Sequence, residues 1–247
     1  MRLKFCLLEN FSFLIEYIIT LKKTYITNNS FLLIKSTVLF SLPPQVLVIL
    51  IFSLIFALTF HEFGHAYVAH LCGDDTAKNA GRMSLNPFVH LDLFGSLMVL
   101  AAGFGYAKPV PVNPNNYRVR NADFYVASAG PLMNLVLGVG AAFLFSFLAK
   151  NNLSTLAGVP ILELLYLFIF INFNLCLFNL IPLGPLDGNS VFPHFLPVNL
   201  KLRFQHWNYR YGSQALIGLV VLSMFLPGFS AFSWIASISK SMINGLL

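Results

Sequence analysis

Residues Val46–Phe60 read VLVILIFSLIFALTF and run directly into His61-Glu62-Phe63-Gly64-His65. A membrane-length apolar run thus ends in the pattern H-E-x-x-H. Two histidines at i and i+4 share one helix face, one turn apart, so both imidazoles can reach the same metal ion. The glutamate between them is suited to take a proton from a water activated by that metal. An ionisable carboxyl and two imidazoles beside a lipid-length run are costly unless partnered, so they are read as functional. The bland alternative is a pair of core histidines with an incidental glutamate.

Composition sets the frame for this motif. The chain has 247 residues, 57% of them hydrophobic and only 10% charged. A soluble domain carries about 25% charged residues, so an integral membrane protein is expected. The net charge of +6 is read as membrane topology, since no Lys/Arg stripe interleaved with aromatics marks a nucleic-acid face. Cys6, Cys72 and Cys176 are scattered, with no C-x-x-C pair, and are read as small hydrophobes.

A bilayer crossing needs about 20 apolar residues. The regions 44–70, 122–149, 160–181 and 212–246 qualify, the last split into two helices or a hairpin at Pro227-Gly228. Residues 5–21 and 31–42 are weaker candidates, and Glu9 and Glu16 interrupt the first of them. The apolar segment 92–105 is too short to cross and is read as re-entrant or interfacial. Alternating Val and Pro in Lys108-Pro109-Val110-Pro111-Val112-Asn113-Pro114 predict an extended edge segment near 106–116. The expected fold is an all-α polytopic membrane protein of about five to six transmembrane helices. The re-entrant or extended segment lies between the H-E-x-x-H helix and the next one. Residues 1–43 are read as an N-terminal extension with at most one weak membrane helix, and 44–247 as the catalytic domain.

Charge asymmetry suggests orientation. If the H-E-x-x-H helix ends on the cytoplasmic side, 71–121 and 182–211 are cytoplasmic and carry Lys78, Arg82, Lys108, Arg118, Arg120, Lys201, Arg203 and Arg210. The opposite loop near 150–160 carries only Lys150. Lys22, Lys23 and Lys35 weigh against this placement.

A catalytic zinc needs a third protein ligand and an open position. His70, His90, Asp92, Asp187 and His194 are the candidates. His70 points about 180° away from His61 on a straight helix. Asp187 is favoured, because it follows an apolar helix within Asn179-Leu180-Ile181-Pro182-Leu183-Gly184-Pro185-Leu186-Asp187-Gly188. Prolines and glycines break the helix there and free the backbone to turn a side chain inward. The alternative is a polar helix-terminal turn with Asp187 as a cap.

Together these motifs resemble the site-2 protease family of intramembrane zinc metalloproteases. H-E-F-G-H is followed much later by N-x-x-P-x-x-P-L-D-G, and Ala129-Gly130-Pro131-Leu132-Met133-Asn134 is similar to the family's intermediate motif. Gly81-Arg82-Met83-Ser84-Leu85-Asn86-Pro87 and Ala107 to Pro114 are similar to its short bacterial subgroup, without PDZ or CBS domains. The resemblance covers residues 44–228. It implies that His61, His65 and Asp187 bind one catalytic zinc and that Glu62 is the base. It implies regulated cleavage of a transmembrane segment of another protein within the lipid bilayer, in a bacterial inner membrane, while the charge asymmetry above puts the site toward the cytoplasmic end of its helix. Asn134 and Asn179 are then the neutral donors expected to position substrate or steady its oxyanion. The alternatives are an interhelical hydrogen bond for Asn134 and a helix C-terminal cap for Asn179. Two other functions compete: a membrane metal or ion transporter, and a catalytically inactive scaffold.

Overall fold

A computed structural model describes residues 44–92, 95, 107–156, 159–226 and 231–247. The weak candidates 5–21 and 31–42, and nearly all of 92–105, lie outside the described residues. Among the described residues, three helices are long and apolar enough to cross a membrane. These are α1 (Pro44–Leu71), α3 (Ala122–Lys150) and α4 (Ile161–Asn179). Between α1 and α3 lie a short helix α2 (Thr76–Asn79) and two 3₁₀ turns, Pro87–Val89 and Pro114–Asn116. A two-residue hairpin, β1 (Thr155–Leu156) with β2 (Val159–Pro160), joins α3 to α4. Beyond α4 come α5 (Gly188–Val191), a 3₁₀ turn (Phe192–Phe195), α6 (Val198–Trp207), a π-helical turn (Asn208–Gly212), α7 (Ser213–Phe225) and α8 (Ser233–Leu246).

The all-α polytopic architecture is as expected. Two boundaries differ from the sequence reading. Helix α4 stops at Asn179, before Pro182 removes a backbone donor, instead of reaching Ile181. The region read as starting at 212 is part of a continuous helical path from Val198 to Phe225. Its cationic first half obscured the apolar period.

Helix α4 is the central element. Ile169, Phe170, Ile171, Asn172, Phe173, Asn174 and Leu175 are all buried in succession. Helices α1 and α3 cover it, while Val48, Phe52, Val136, Phe143 and Phe147 face outward as lipid-facing side chains do. Small residues set the helix separations. A Cβ on Gly64 would lie 2.7 Å from Met133 Cγ and 3.0 Å from Ala129 O, and one on Gly138 would lie 2.4 Å from the Phe173 ring. Such close approach is the usual route to tight helix packing in lipid.

The expected extended segment is present over 107–113, strung across the end of α1. It begins at an antiparallel bridge between Leu91 and Ala107. Lys108 N–H donates to His90 O (2.8 Å), and Arg82 Nη2 donates to Lys108 O (2.5 Å). At the far end, fully buried Asp74 accepts from Asn113 N–H (2.6 Å), Asn116 Nδ2 (2.9 Å) and both the amide and hydroxyl of Thr76. Burial works against the Asp74 charge, but these donors outweigh it and hold its pKa below the ordinary value of 3.8.

Two outcomes follow. Replacing Gly138 by valine should cost about 1–3 kcal/mol through overpacking against Phe173, read as a lower unfolding midpoint in detergent. Asp74→Asn should destabilise by about 1–3 kcal/mol near neutral pH. Because the folded-state pKa is depressed, that stability is present above the ordinary carboxylate pKa. It is lost as pH falls through the folded value, so parent and variant should converge on acidification below pH 3.8.

Candidate metal centre

His61, Glu62 and His65 lie in the last three turns of α1, and all three are buried. Asp187 is delivered from the loop after α4 and is also buried. His61 Nε2 and His65 Nε2 are 3.1 Å apart, and Asp187 Oδ2 is 3.2 Å from the first and 3.3 Å from the second.

The hydrogen bonds behind the imidazoles fix what those atoms are. Asn134 Nδ2 donates to Ala57 O (3.0 Å) and to Asn172 Oδ1 (3.0 Å), so its Oδ1 is the atom facing His61. His61 Nδ1 therefore donates to Asn134 Oδ1 (2.7 Å). His65 Nδ1 donates to the carbonyl of Val126 (2.6 Å), which can only accept. With both Nδ1 atoms protonated, both Nε2 atoms of the neutral rings carry lone pairs. Neither can donate to the other. Three acceptor atoms, two nitrogens and a carboxylate oxygen, thus converge in a buried site, and a cation among them turns their repulsion into attraction. The separations suit zinc. Bonds of about 2.0–2.1 Å in tetrahedral geometry place ligand atoms about 3.3–3.4 Å apart.

Gly130 supplies the room. A Cβ there would lie 2.4 Å from His65 Nε2 and 2.6 Å from His61 Nε2. No side chain larger than hydrogen fits beside those nitrogens. Pro131 follows and removes the N–H that would otherwise bond Ala127 O, one residue past the carbonyl that receives His65.

Glu62 Oε2 accepts from Val110 N–H at 3.0 Å, so the strung segment touches the carboxylate directly. The other sequence candidates sit elsewhere. His70 Nδ1 meets Asp75 Oδ1 (2.5 Å), His90 bonds Ser84 O (2.8 Å) through Nε2, and Asp92 Oδ1 accepts from Gly95 N–H (2.9 Å). His194 donates to Ser190 O (3.0 Å). Asn179 is buried, but its amide donates to Leu175 O (2.9 Å) in its own helix. Asn134 differs from its expected substrate contact, because its Nδ2 serves Ala57 and Asn172 and its Oδ1 serves His61. Sequence reasoning missed Asn172, the Val126 carbonyl, the space at Gly130 and the Val110 amide. An asparagine inside an apolar helix was the one available signal for Asn172.

Comparison with known proteins points to zinc chemistry as well. Residues 148–219 match Peptidase family M50. A Bacillus subtilis (strain 168) protein named "Putative zinc metalloprotease YwhC" is 40% identical over 164 residues, covering 65% of this chain and 75% of that one. A Mycolicibacterium smegmatis protein named "Putative zinc metalloprotease Rip2" is 28% identical over 159 residues, covering 62% of this chain and 59% of that one. No solved structure matches significantly. The chain belongs to peptidase family M50, the site-2 protease family. It is a membrane-embedded zinc metalloendopeptidase.

Removing the amide behind His61 should loosen the site. Asn134→Ala is expected to weaken zinc affinity by about 10–100-fold in chelator competition. Gly130→Val should abolish zinc uptake while leaving the helical circular dichroism unchanged.

Proposed function

We propose that this protein cleaves a transmembrane segment of another membrane protein, with His61, His65 and Asp187 holding the zinc and Glu62 as catalytic base. The observation that carries the reading is the convergence of three buried lone-pair atoms at the end of a membrane-length helix, with a buried carboxylate next to one of them. The domain responsible is residues 44–247.

Zinc supplies Lewis acidity, polarising the scissile carbonyl and making water acidic enough to be deprotonated near neutral pH. Glu62 takes that proton at its carboxylate and returns it to the leaving amine. Val110 N–H restrains Glu62 Oε2, which limits the rotamers open to the base and leaves Oε1 for the proton. Asn134 keeps His61 in the tautomer and orientation that aim Nε2 at the metal. Val126 O does the same for His65. The neutral donor to the substrate oxyanion is Asn179, once its amide leaves Leu175 O.

A helical substrate hides its carbonyls in i to i−4 hydrogen bonds and must unwind before attack. The segment near 106–116 is the edge on which the unwound strand pairs. Pro109 and Pro111 have no N–H and Val110 N–H is directed at Glu62, so pairing there runs through carbonyls and the Val112 amide. The basic character of 71–121 and 182–211 supports a site on the cytoplasmic side, and the bacterial relatives support a bacterial inner membrane.

Glu62→Gln separates this reading from a metal transporter and from an inactive scaffold. The purified variant should keep one zinc per chain and lose about a hundred- to ten-thousand-fold in peptide cleavage in reconstituted vesicles. Full activity in the variant would exclude the assigned base. Exchanging 109–114 for a Gly/Ser stretch should slow cleavage with zinc retained, and unchanged cleavage would remove the pairing edge.

A further inference from the structure

The loop that delivers Asp187 has little backbone support of its own. Pro182 and Pro185 lack N–H donors, and the internal bonds are short turns, such as Leu186 N–H to Leu183 O (2.9 Å). Its base is compact because Gly188 has no side chain: a Cβ there would fall 2.2 Å from Leu180 O and 2.4 Å from Ile181 O. Its outer turn is held from elsewhere in the chain, by Asn208.

Asn208 is buried at 3% exposure in a stretch where Trp207, Tyr209, Arg210 and Tyr211 are all exposed. Its Oδ1 accepts from Gly184 N–H (2.8 Å). Its Nδ2 donates to Asn189 Oδ1 (2.6 Å) and to Pro182 O (3.2 Å). One amide therefore meets the loop on both sides of Asp187, using its acceptor and both its donors. The turn that carries it, Asn208–Gly212, is π-helical. Such turns are uncommon overall and frequent at functional sites. Gly212 completes the fit. A Cβ at Gly212 would lie 1.7 Å from Asn208 Oδ1 and 3.0 Å from Gly184 N, so only glycine leaves the amide in place.

We propose that Asn208, seated by Gly212 in the π turn, is a positioning residue that holds the 182–189 loop in the shape that presents Asp187 to the metal. The inference rests on the reading of Asp187 as a ligand. Asn208 touches neither metal nor substrate and acts only through the loop backbone and Asn189. Without it, three hydrogen bonds that fix the loop are lost, and the carboxylate is no longer held at 3.2–3.3 Å from the two imidazoles.

The test uses the full chain in detergent, with zinc affinity from chelator competition and the visible absorption of the cobalt-substituted protein at saturating cobalt. A residue that merely stabilises the fold would lower the melting temperature and leave the spectrum at saturation unchanged. Asn208→Ala should weaken zinc binding by about tenfold and alter the cobalt band intensities. Asn208→Ser keeps a short hydroxyl, donor and acceptor, on the same side of the loop and should fall between parent and Asn208→Ala. It also decides the matter if the alanine variant fails to fold. Gly212→Ala should reproduce the Asn208→Ala spectrum. Parent-like affinity and spectrum in both Asn208 variants, with Asp187→Ala strongly weakened, would overturn the role of Asn208 alone. Parent-like affinity in Asp187→Ala would overturn the ligand assignment and this inference with it.

Discussion

Mutual repulsion among three acceptor atoms is the constraint around which the protein is organised. Two imidazole nitrogens and a carboxylate oxygen stand 3.1–3.3 Å apart, buried, and each ring donates from Nδ1 elsewhere, so that in the neutral rings both Nε2 atoms face the carboxylate as lone pairs. Such an arrangement is costly in a low-dielectric interior unless a cation occupies it. The fold contributes accordingly. Helix α1 supplies both histidines, α3 supplies the Asn134 and Val126 acceptors and the space at Gly130, and α4 supplies Asn172, which fixes the orientation of Asn134. The proline- and glycine-broken loop after α4 supplies the carboxylate.

The second feature that matters is the strung segment between α1 and α3. Two buried charges hold it, Arg82 at the Lys108 carbonyl and Asp74 at the Asn113 amide. Between them Val110 N–H reaches Glu62. The backbone of one extended stretch is thereby linked both to the turns between α1 and α3 and to the proposed base. This accounts for the proline-rich sequence: residues without N–H groups leave the single intervening amide as the donor aimed at the carboxylate.

Much of this was legible in the sequence, and what was not has a physical reason. Periodicity and length are local properties, so α1, α3 and α4 could be read within a residue or two. H-E-x-x-H is local as well, and Asp187 could be reached because prolines and glycines mark a helix that stops at membrane depth. The partners of those residues are non-local. Nothing in the sequence pairs Asn134 with His61 or Val126 with His65, because the contact depends on how closely Gly64 and Gly130 let two helices approach. The expected role of Asn134 as a substrate donor differed for the same reason, since both its amide hydrogens meet groups on neighbouring helices. Asn208 was hidden in a cationic stretch that reads as a topology signal. Its burial depends on a π turn that no residue pattern announces.

The central claim is that one zinc is held by two imidazoles and an aspartate, and zinc-edge X-ray absorption of the purified protein addresses it most directly. The account predicts a first shell of nitrogen and oxygen alone at about 2.0–2.1 Å, with multiple scattering from two imidazole rings, and loss of one ring in His65→Ala. A sulfur shell near 2.3 Å, or a protein that neither contains nor takes up a divalent ion, would contradict it.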